Sequence, residues 1–426
     1  MTGILDGIKV VEFAQNAAVP YCGRLLAGMG ADVVKVEPPE GDAMRGLAQL
    51  APNEAKAYAS INPGKRAITL DLSSDEARPV IDALFAWADV ALVAFKQSDL
   101  GRYGIDDTTA RAVNPRLIHL THTPFGPKGP DADLGGYDVL VQGRSGQGFT
   151  ANRTENGTPV STRPAMNDFG TGIASALGVV AALRHRDLTG EGQRVDASLL
   201  ATAVGLATPT VNYFEKSDAE PLAQLDEDMA LLRSVGTSFE DQREVYEQRV
   251  IPGAGAFRLY FRHYATADGL ISVAGLSAGL IRKFHEVTGL DEPDRSDPHG
   301  DQFNSVVKAA DELFLTRTTA EWISLLRGVG YPCGPYNMPH EAINDEQIRA
   351  NDFIIDLEHP AFGSYSVSGE PVRFSAAAAA KVGPSPGLGE HTVEVLAEIG
   401  LGAEAIDQLV ADGVATTPSS SGSSAG

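Results

Sequence analysis

The chain has 426 residues, enough for two or three domains and for cores that need no staples. Its apolar fraction (43%) and charged fraction (21%) are those of a soluble globular protein, and a net charge of -22 argues against a nucleic-acid or anionic-membrane surface. Cys22 and Cys333 lie too far apart to read as a disulfide framework or a zinc site, although the acidic total leaves room for local basic pockets.

The first residues, Met1 to Gly7, show no basic region followed by an apolar core, so no signal peptide is expected. No apolar run approaches the roughly 20 residues that span a bilayer. A cytoplasmic location with no membrane partner is therefore expected. From there the chain alternates strand-like and helix-like segments. Ile8 to Phe13 reads as a strand, Pro20 to Met29 as a helix stopped by Gly30, and Asp32 to Glu37 as a second strand. Ala67 to Leu72 is a third strand, and Ser73-Ser74-Asp75-Glu76 offers a capping box for a helix through Trp87. Val90 to Phe95 and Leu117 to His122 give a fourth and a fifth strand. This alternation predicts an α/β fold with a parallel, doubly wound sheet. Ligands of such sheets sit beyond the carboxyl ends of the strands, which directs attention to the segments after Phe13, Glu37, Leu72 and Phe95.

The middle of the chain has a different texture. Thr208 to Arg249 is polar and acidic, with helical character and no strand rhythm, and reads as a connecting arm over 208–250. Ile251 to Phe257 contains glycines and reads as a turn, and Leu259 to Tyr264 with Leu270 to Ala274 reads as a hairpin around Ala267-Asp268-Gly269. Helical segments follow to Gly328, which gives a small α+β domain over 251–330. Glu390 to Val410 is helical again, and the Ser- and Gly-rich tail 416–426 is expected to be disordered.

Several familiar chemistries find no motif. No Gly-x-Gly-x-x-Gly follows the first strand, where Ala14-Gln15-Asn16-Ala17-Ala18 stands instead, so NAD is not expected. Gly64-Lys65 lacks the flanking residues of a P-loop, so ATP is not expected either. The nine histidines show no ligand spacing, which speaks against a metal, and Ser198 lacks a nucleophile elbow. Lys65-Arg66, Lys96 and Arg102 fall near strand ends, as solvated surface or as phosphate contacts.

The most informative residue is Asp168. It directly precedes the small and apolar run Ile173 to Leu183, at the start of a helix. Asp is a good helix cap, and a carboxylate there can also act as a nucleophile; the local sequence admits both.

An ordered set of segments resembles the family III CoA-transferases, a family that also includes acyl-CoA racemases. The carriers begin with Leu5 to Phe13, Gly30 to Pro38, and Gly41-Asp42 with Arg45. They continue through Gly64-Lys65-Arg66, Leu70-Asp71-Leu72, Gly136-Tyr137-Asp138, Asp168 and Thr189 to Leu199. Cys333 to Asn337 and Leu388 to Thr392 complete the set, which spans about residues 5 to 414. The resemblance implies a large Rossmann-like CoA-binding domain built from both ends of the chain (1–207 and 331–415, the latter including a return linker), the smaller inserted domain, and an interlocked homodimer.

The resemblance also implies roles. Asp168 would be the nucleophile that carries acyl and then CoA, with coenzyme A and acyl-CoA as substrates. Gln15, Asn16, Ala17, Ala18, Leu70, Ser73, Phe95, Lys96, Arg102, Tyr137 and Asp138 would line or contact the CoA site. Gly253, Ala254 and Gly255 match a loop that covers the active site, although the loop here is poorer in glycine than in the formyl-CoA transferases. Ala94 stands where an Asn is usual, Pro38 where some members carry Arg, and Leu47 where oxalate-using members carry Trp. Leu47 thus points away from oxalate. The racemase branch carries a His beside an Asp where this chain has Tyr137-Asp138, and a phenol with a pKa near ~10 is a poor base at neutral pH. Transfer is therefore expected over α-proton exchange, with a non-catalytic CoA-ester-binding protein as a third reading.

Overall fold

The structure, a computed structural model, describes residues 3–149, 153–250, 254–298, 300–377 and 382–418. The chain divides into two compact units, Met1–Asn212 with Asn351–Gly426, and Tyr213–Ala350.

The larger unit is organised by a sheet of strands β1 (Lys9–Phe13), β2 (Asp32–Glu37), β3 (Arg66–Thr69), β4 (Val90–Val93), β5 (Ile118–Thr123) and β6 (Gln193–Ser198). All pairs are parallel, and the order is β6-β5-β4-β1-β2-β3. Read from the other edge, this is the 3-2-1-4-5-6 order of dinucleotide-binding sheets, whose direction of winding reverses between β1 and β4. The helices around it are α1 (Ala18–Gly28), α2 (Lys56–Ile61), α3 (Ala77–Trp87), α4 (Gln97–Tyr103), α5 (Asp107–Val113), α6 (Asp138–Arg144), α7 (Met166–Thr189) and α8 (Leu199–Leu206).

Successive side chains of a strand point to opposite faces, and here both faces are covered, which is why the strands are near-continuous apolar runs. Val11, Val34, Ile68 and Ala91 pack with Val80, Ile81 and Leu84 of α3 and with Val395, Leu396 and Ile406 near the C-terminus. Their neighbours Val10, Val33, Leu92, Ile118 and Leu120 pack on the other face with Cys22, Leu25 and Leu26 of α1 and Val179, Ala182 and Leu183 of α7. The C-terminal segment is tied in by backbone bonds: the His391 N–H donates to Ala67 O (2.9 Å) and the Asp71 N–H to Val414 O (2.7 Å).

The structure corrects several expectations. A sixth strand, β6, pairs with β5 where none was expected. The third strand ends at Thr69 rather than Leu72, and the capping box before α3 does not form: Glu76 is the N-cap with no side-chain cap, and Ser74 bonds the Glu76 carboxylate instead. Helix α7 begins at Met166, so Asp168 is the third residue of its first turn and not its cap. With 24 residues α7 is also long and apolar enough, by length and composition alone, to cross a membrane, although its Ala176, Val179, Ala182 and Leu183 belong to the core. Thr416 is anchored, its N–H donating to Thr69 Oγ1 at 2.6 Å, whereas residues 419–426 of the expected disordered tail lie outside the described residues.

In the smaller unit, helices Glu215–Ser234 and Phe239–Val250 fill most of the segment expected as an arm. The hairpin forms from β7 (Phe261–Ala265) and β8 (Leu270–Ala274), with β9 (Cys333–Pro335) added antiparallel to β8. A stacked aromatic core fills the unit, with ring centroids 4.1 Å apart for Tyr264–Phe314 and 4.5 Å for Phe314–Trp322. The capping box of Thr318 and Glu321 opens helix Thr319–Gly328 beside it. Gly253 lies outside the described residues; Ala254 and Gly255 open the helix Ala254–Tyr260, where a turn was expected.

Candidate active site

The crevice at the reversal point of the sheet is a cleft of 530 Å3, within the usual size of small-molecule sites. Gln15, Asn16, Ala17 and Ala18 enter it from the segment after β1, and Phe95 and Lys96 from the segment after β4. Tyr137 lines it from the start of α6 and Asp168 from the first turn of α7. A second cleft of 430 Å3 shares Gln15 and Phe95 as a wall and continues over the ends of β2 and β3, where Leu70 and Ser73 line it. Eleven sequence-predicted contacts thus separate by position. Arg102 lines neither cleft; its guanidinium lies 5.4 Å from the ring of Tyr103, which does line the second. Asp138 lies behind the first cleft, buried.

Two close approaches build this geometry. A Cβ on Gly172 of α7 would come within 2.8 Å of Ala18 O, so only glycine lets α7 cross α1 this tightly, one turn after Asp168. A Cβ on Gly136 would meet the Pro124 side chain at 2.7 Å, so the segment leading to Tyr137 folds directly onto the end of β5.

The segment after β1 is held from below by buried charge. Asn16 has φ +66°, a conformation that Asn tolerates better than most residues. Its N–H donates to Asp42 Oδ1 (3.3 Å), and the Lys35 ammonium ties Asp42 (2.9 Å) to Glu12 (3.1 Å) and to Ala14 O (2.6 Å). Alongside, Glu37 receives Arg45 through both carboxylate oxygens at 2.8 Å and the Tyr58 hydroxyl at 2.7 Å. The Glu37, Asp42 and Arg45 motif is therefore scaffolding for the cleft walls.

That scaffold overturns one sequence reading. Lys65 is not a phosphate contact: its ammonium is buried and donates to Glu12 Oε2 (2.8 Å), Pro20 O (2.7 Å) and Asn62 Oδ1 (2.8 Å), which uses its three donors. Arg66 is likewise spent on Asp32, Glu394 and Glu398. Lys96 is exposed at the first cleft.

Around Asp168 the electrostatics are specific. Among the described residues nothing donates a hydrogen bond to its carboxylate. Burial, and next the Asp138 carboxylate, push it up to about 6. The helix start alone would favour the ionised form; here burial and the neighbouring charge outweigh it. Asp138 accepts the Asn167 N–H (3.0 Å) and the Gln142 side-chain amide, so it satisfies one of the open donors of α7. The Phe169 N–H donates to Ala165 O (3.2 Å), the first intrahelical bond of α7, so this N–H is not among the open donors of the helix start.

The sequence reading missed His122. It ends the run Ile118, Leu120, His122 on the α7 face of β5, lines the first cleft, and is 9% exposed. Its Nε2 has no hydrogen-bond partner among the described residues, and burial pushes the imidazole down to about 4. A histidine at the carboxyl end of a strand beside the reversal point was the available signal.

The comparisons with known proteins agree with this architecture. The sequence model of CoA-transferase family III matches residues 5–392. The chain is 31% identical to a formyl-CoA:oxalate CoA-transferase of Rhodopseudomonas palustris, over 94% of each chain. It is 32% identical to a succinate–glutarate CoA-transferase of Agrobacterium fabrum, over 93% of this chain and 95% of the other. A crystal structure of a CAIB/BAIF family protein from Brucella suis superposes with a TM-score of 0.70 at 29% identity, covering 94% of this chain and all (100%) of that one. A Rossmann-ordered sheet with a carboxylate lining the cleft at its reversal point, together with a match over nearly the whole chain, places this protein in CoA-transferase family III, as an enzyme of that transferase class.

Proposed function

We propose that the enzyme moves CoA from an acyl-CoA donor to a free carboxylic acid, with Asp168 as the nucleophile. The observation that carries this reading is the carboxylate of Asp168, free of hydrogen bonds among the described residues, in a cleft that continues into a second one. The shared wall of Gln15 and Phe95 suits a long ligand, with the thioester at Asp168 and the nucleotide end toward Leu70 and Ser73. Lys96 and Arg102 stand nearby as phosphate partners.

The steps balance without an external reactant. The Asp168 carboxylate attacks the donor thioester, giving a mixed anhydride and CoA thiolate. The thiolate attacks the aspartyl carbonyl, releasing the donor acid and leaving an aspartyl-CoA thioester. The acceptor carboxylate attacks that thioester, and the thiolate then takes the acyl group from the new anhydride, restoring Asp168. Each exchange conserves an activated acyl group, and covalent catalysis divides one hard step into easier ones. Asp138 acts behind the nucleophile by fixing the start of α7.

The interlocked homodimer belongs to the same proposal. Ile173, Leu177 and Val180 form an apolar stripe on the outer side of α7, Leu177 being 71% exposed, and such a face suits a second copy of the chain.

Incubation with acyl-CoA followed by hydroxylamine or borohydride and intact-mass analysis tests the mechanism. An adduct that maps to Asp168, and loss of exchange in Asp168→Ala, are the expected results. Unchanged exchange in that variant overturns the covalent route. Solvent deuterium at the α-carbon without CoA exchange favours the racemase reading instead.

A further inference from the structure

We propose that the second cleft reads the sugar of the nucleotide and not its 3′-phosphate, so that the enzyme holds 3′-dephospho-CoA as well as it holds CoA. The inference rests on the CoA-exchange reading and adds to it a class of carrier and the residues that admit it.

A phosphate ester is held by cations and by N–H and O–H donors, and the second cleft supplies few of either. Glu40 and Asp71 line it, and no lysine or arginine does among the described residues. Pro38 and Pro39, which carry the chain on from β2, have no N–H to give, and the Gly41 N–H beyond them donates to Pro38 O at 2.8 Å. After β3 the Leu70 N–H is spent on Glu37 O (2.8 Å) and the Asp71 N–H on Val414 O (2.7 Å). Ser73 has the donors that a phosphate would use, yet its N–H (2.9 Å) and its hydroxyl (2.6 Å) both donate to Asp71 Oδ1.

The cations nearby are engaged or stand aside. Arg45 is bound by both oxygens of Glu37, and Arg78 donates to Asp82 at 3.0 Å. Arg102 lies over the Tyr103 ring without lining the cleft, and Lys96 lines the first cleft and not the second. Those two remain for the diphosphate, which precedes the ribose along the ligand.

The cleft instead offers acceptors beside apolar walls. Val36, Leu70, Leu72, Phe95 and Tyr103 suit a flat base. Asp71 Oδ2 accepts no hydrogen bond among the described residues, and Glu40 is exposed at the rim. A ribose hydroxyl donates to such groups, whereas a 3′-phosphate set beside two carboxylates meets like charge. Dinucleotide-binding sheets make the same distinction just beyond their strand ends, where a carboxylate takes a ribose hydroxyl and an arginine takes a ribose phosphate. Glu40 and Asp71 give this chain the first arrangement.

Titration calorimetry of the wild-type protein with free CoA and with 3′-dephospho-CoA tests this with no turnover and no choice of acyl group. The two Kd values are expected to agree within about threefold, or 3′-dephospho-CoA to bind the tighter. Tighter binding of CoA by more than about threefold overturns the proposal. Binding of neither ligand is a different failure: it overturns the CoA reading itself, and this inference with it. Glu40→Lys reverses an exposed charge and is expected to tighten CoA relative to 3′-dephospho-CoA by about fivefold or more. Pro38→Arg serves the same purpose if that variant does not fold. Both compare two ligands on one protein, so a general loss of fold does not imitate the effect. An unchanged ratio in both variants overturns the assignment of the ribose to this cleft. Arg102→Ala is expected to weaken both ligands by the same factor; a loss confined to CoA makes Arg102 the reader of the 3′-phosphate and overturns the proposal.

Discussion

The Asp138 carboxylate accepts the Asn167 N–H at 3.0 Å, one residue before Asp168, so a buried negative charge both anchors the start of α7 and faces the neighbouring carboxylate. Burial is the larger cause of the raised Asp168 pKa and Asp138 the second. With Asp168 at about 6, kcat/KM for exchange is expected to rise through that pH as the nucleophile ionises. Asp138→Asn keeps an acceptor for the Asn167 N–H but removes the like charge. The acid limb of the profile should then move down by less than about one pH unit, since burial remains. An acid limb that stays in place when Asp138 is neutralised would show that Asp138 acts by geometry alone.

The same shift makes Asp168 a cost to the fold. Its native pKa of about 6 lies above its ordinary value of 3.8, so between those pH values the native state binds more protons than the unfolded chain. Stability contributed by this group is then present at acid pH and lost as pH rises through about 6. Asp168→Asn should therefore raise Tm at pH 7.5 and raise it less, or not at all, at pH 4.5, while abolishing exchange. A gain in Tm of equal size at both pH values would exclude ionisation as its cause.

Much of the larger unit was legible because its strands are buried on both faces. Val10-Val11, Val33-Val34 and Val90 to Val93 are apolar without interruption, as a parallel sheet covered on both faces favours, and the buried Glu12 and Lys35 of β1 and β2 are carried there as an ion pair. The sixth strand escaped notice because Gln193 to Ser198 lies at the sheet edge and mixes exposed Arg194 and Asp196 with small residues. Asp168 was found as a reactive candidate at a helix start, but its exact rank in the first turn depends on Met166 and Asn167 joining the helix, which local sequence does not require. Lys65 was misread for a tertiary reason: Asn62 is a local acceptor, but Glu12 and Pro20, which complete its three hydrogen bonds, lie far away in sequence and meet it only in the folded sheet and helix layer. His122 resembled any strand residue until its unpartnered nitrogen and its cleft were seen together.

Lys65 also provides a stability test. Its ammonium and that of Lys35 jointly neutralise Glu12, at 2.8 and 3.1 Å, with all three side chains buried. Lys65→Met removes one partner and leaves a buried carboxylate with a single cation, which is expected to cost about 3–5 kcal/mol in denaturant unfolding. Lys65 is engaged by protein acceptors, so the folded variant should bind acyl-CoA with an unchanged dependence on salt. A weaker salt dependence would return Lys65 to the phosphate site.

The packing of α7 on α1 makes the sharpest prediction about position. Gly172 approaches Ala18 O so closely that a methyl group would sit 2.8 Å from that oxygen and 2.9 Å from the Tyr21 ring. Neither neighbour can swing aside easily, because Ala18 O is backbone and Tyr21 packs against Phe169 with ring centroids 5.0 Å apart. Gly172→Ala should therefore separate the two helices, at a cost of about 1–3 kcal/mol. The displacement acts one turn from Asp168 and on the wall formed by Ala17 and Ala18, so kcat should fall by about 10-fold or more. Gly143→Ala is the control, since a Cβ there meets nothing within 4 Å and α6 should accept it without loss. If Gly172→Ala lowers Tm while kcat equals that of Gly143→Ala, the close crossing supports the core and does not set the place of the nucleophile.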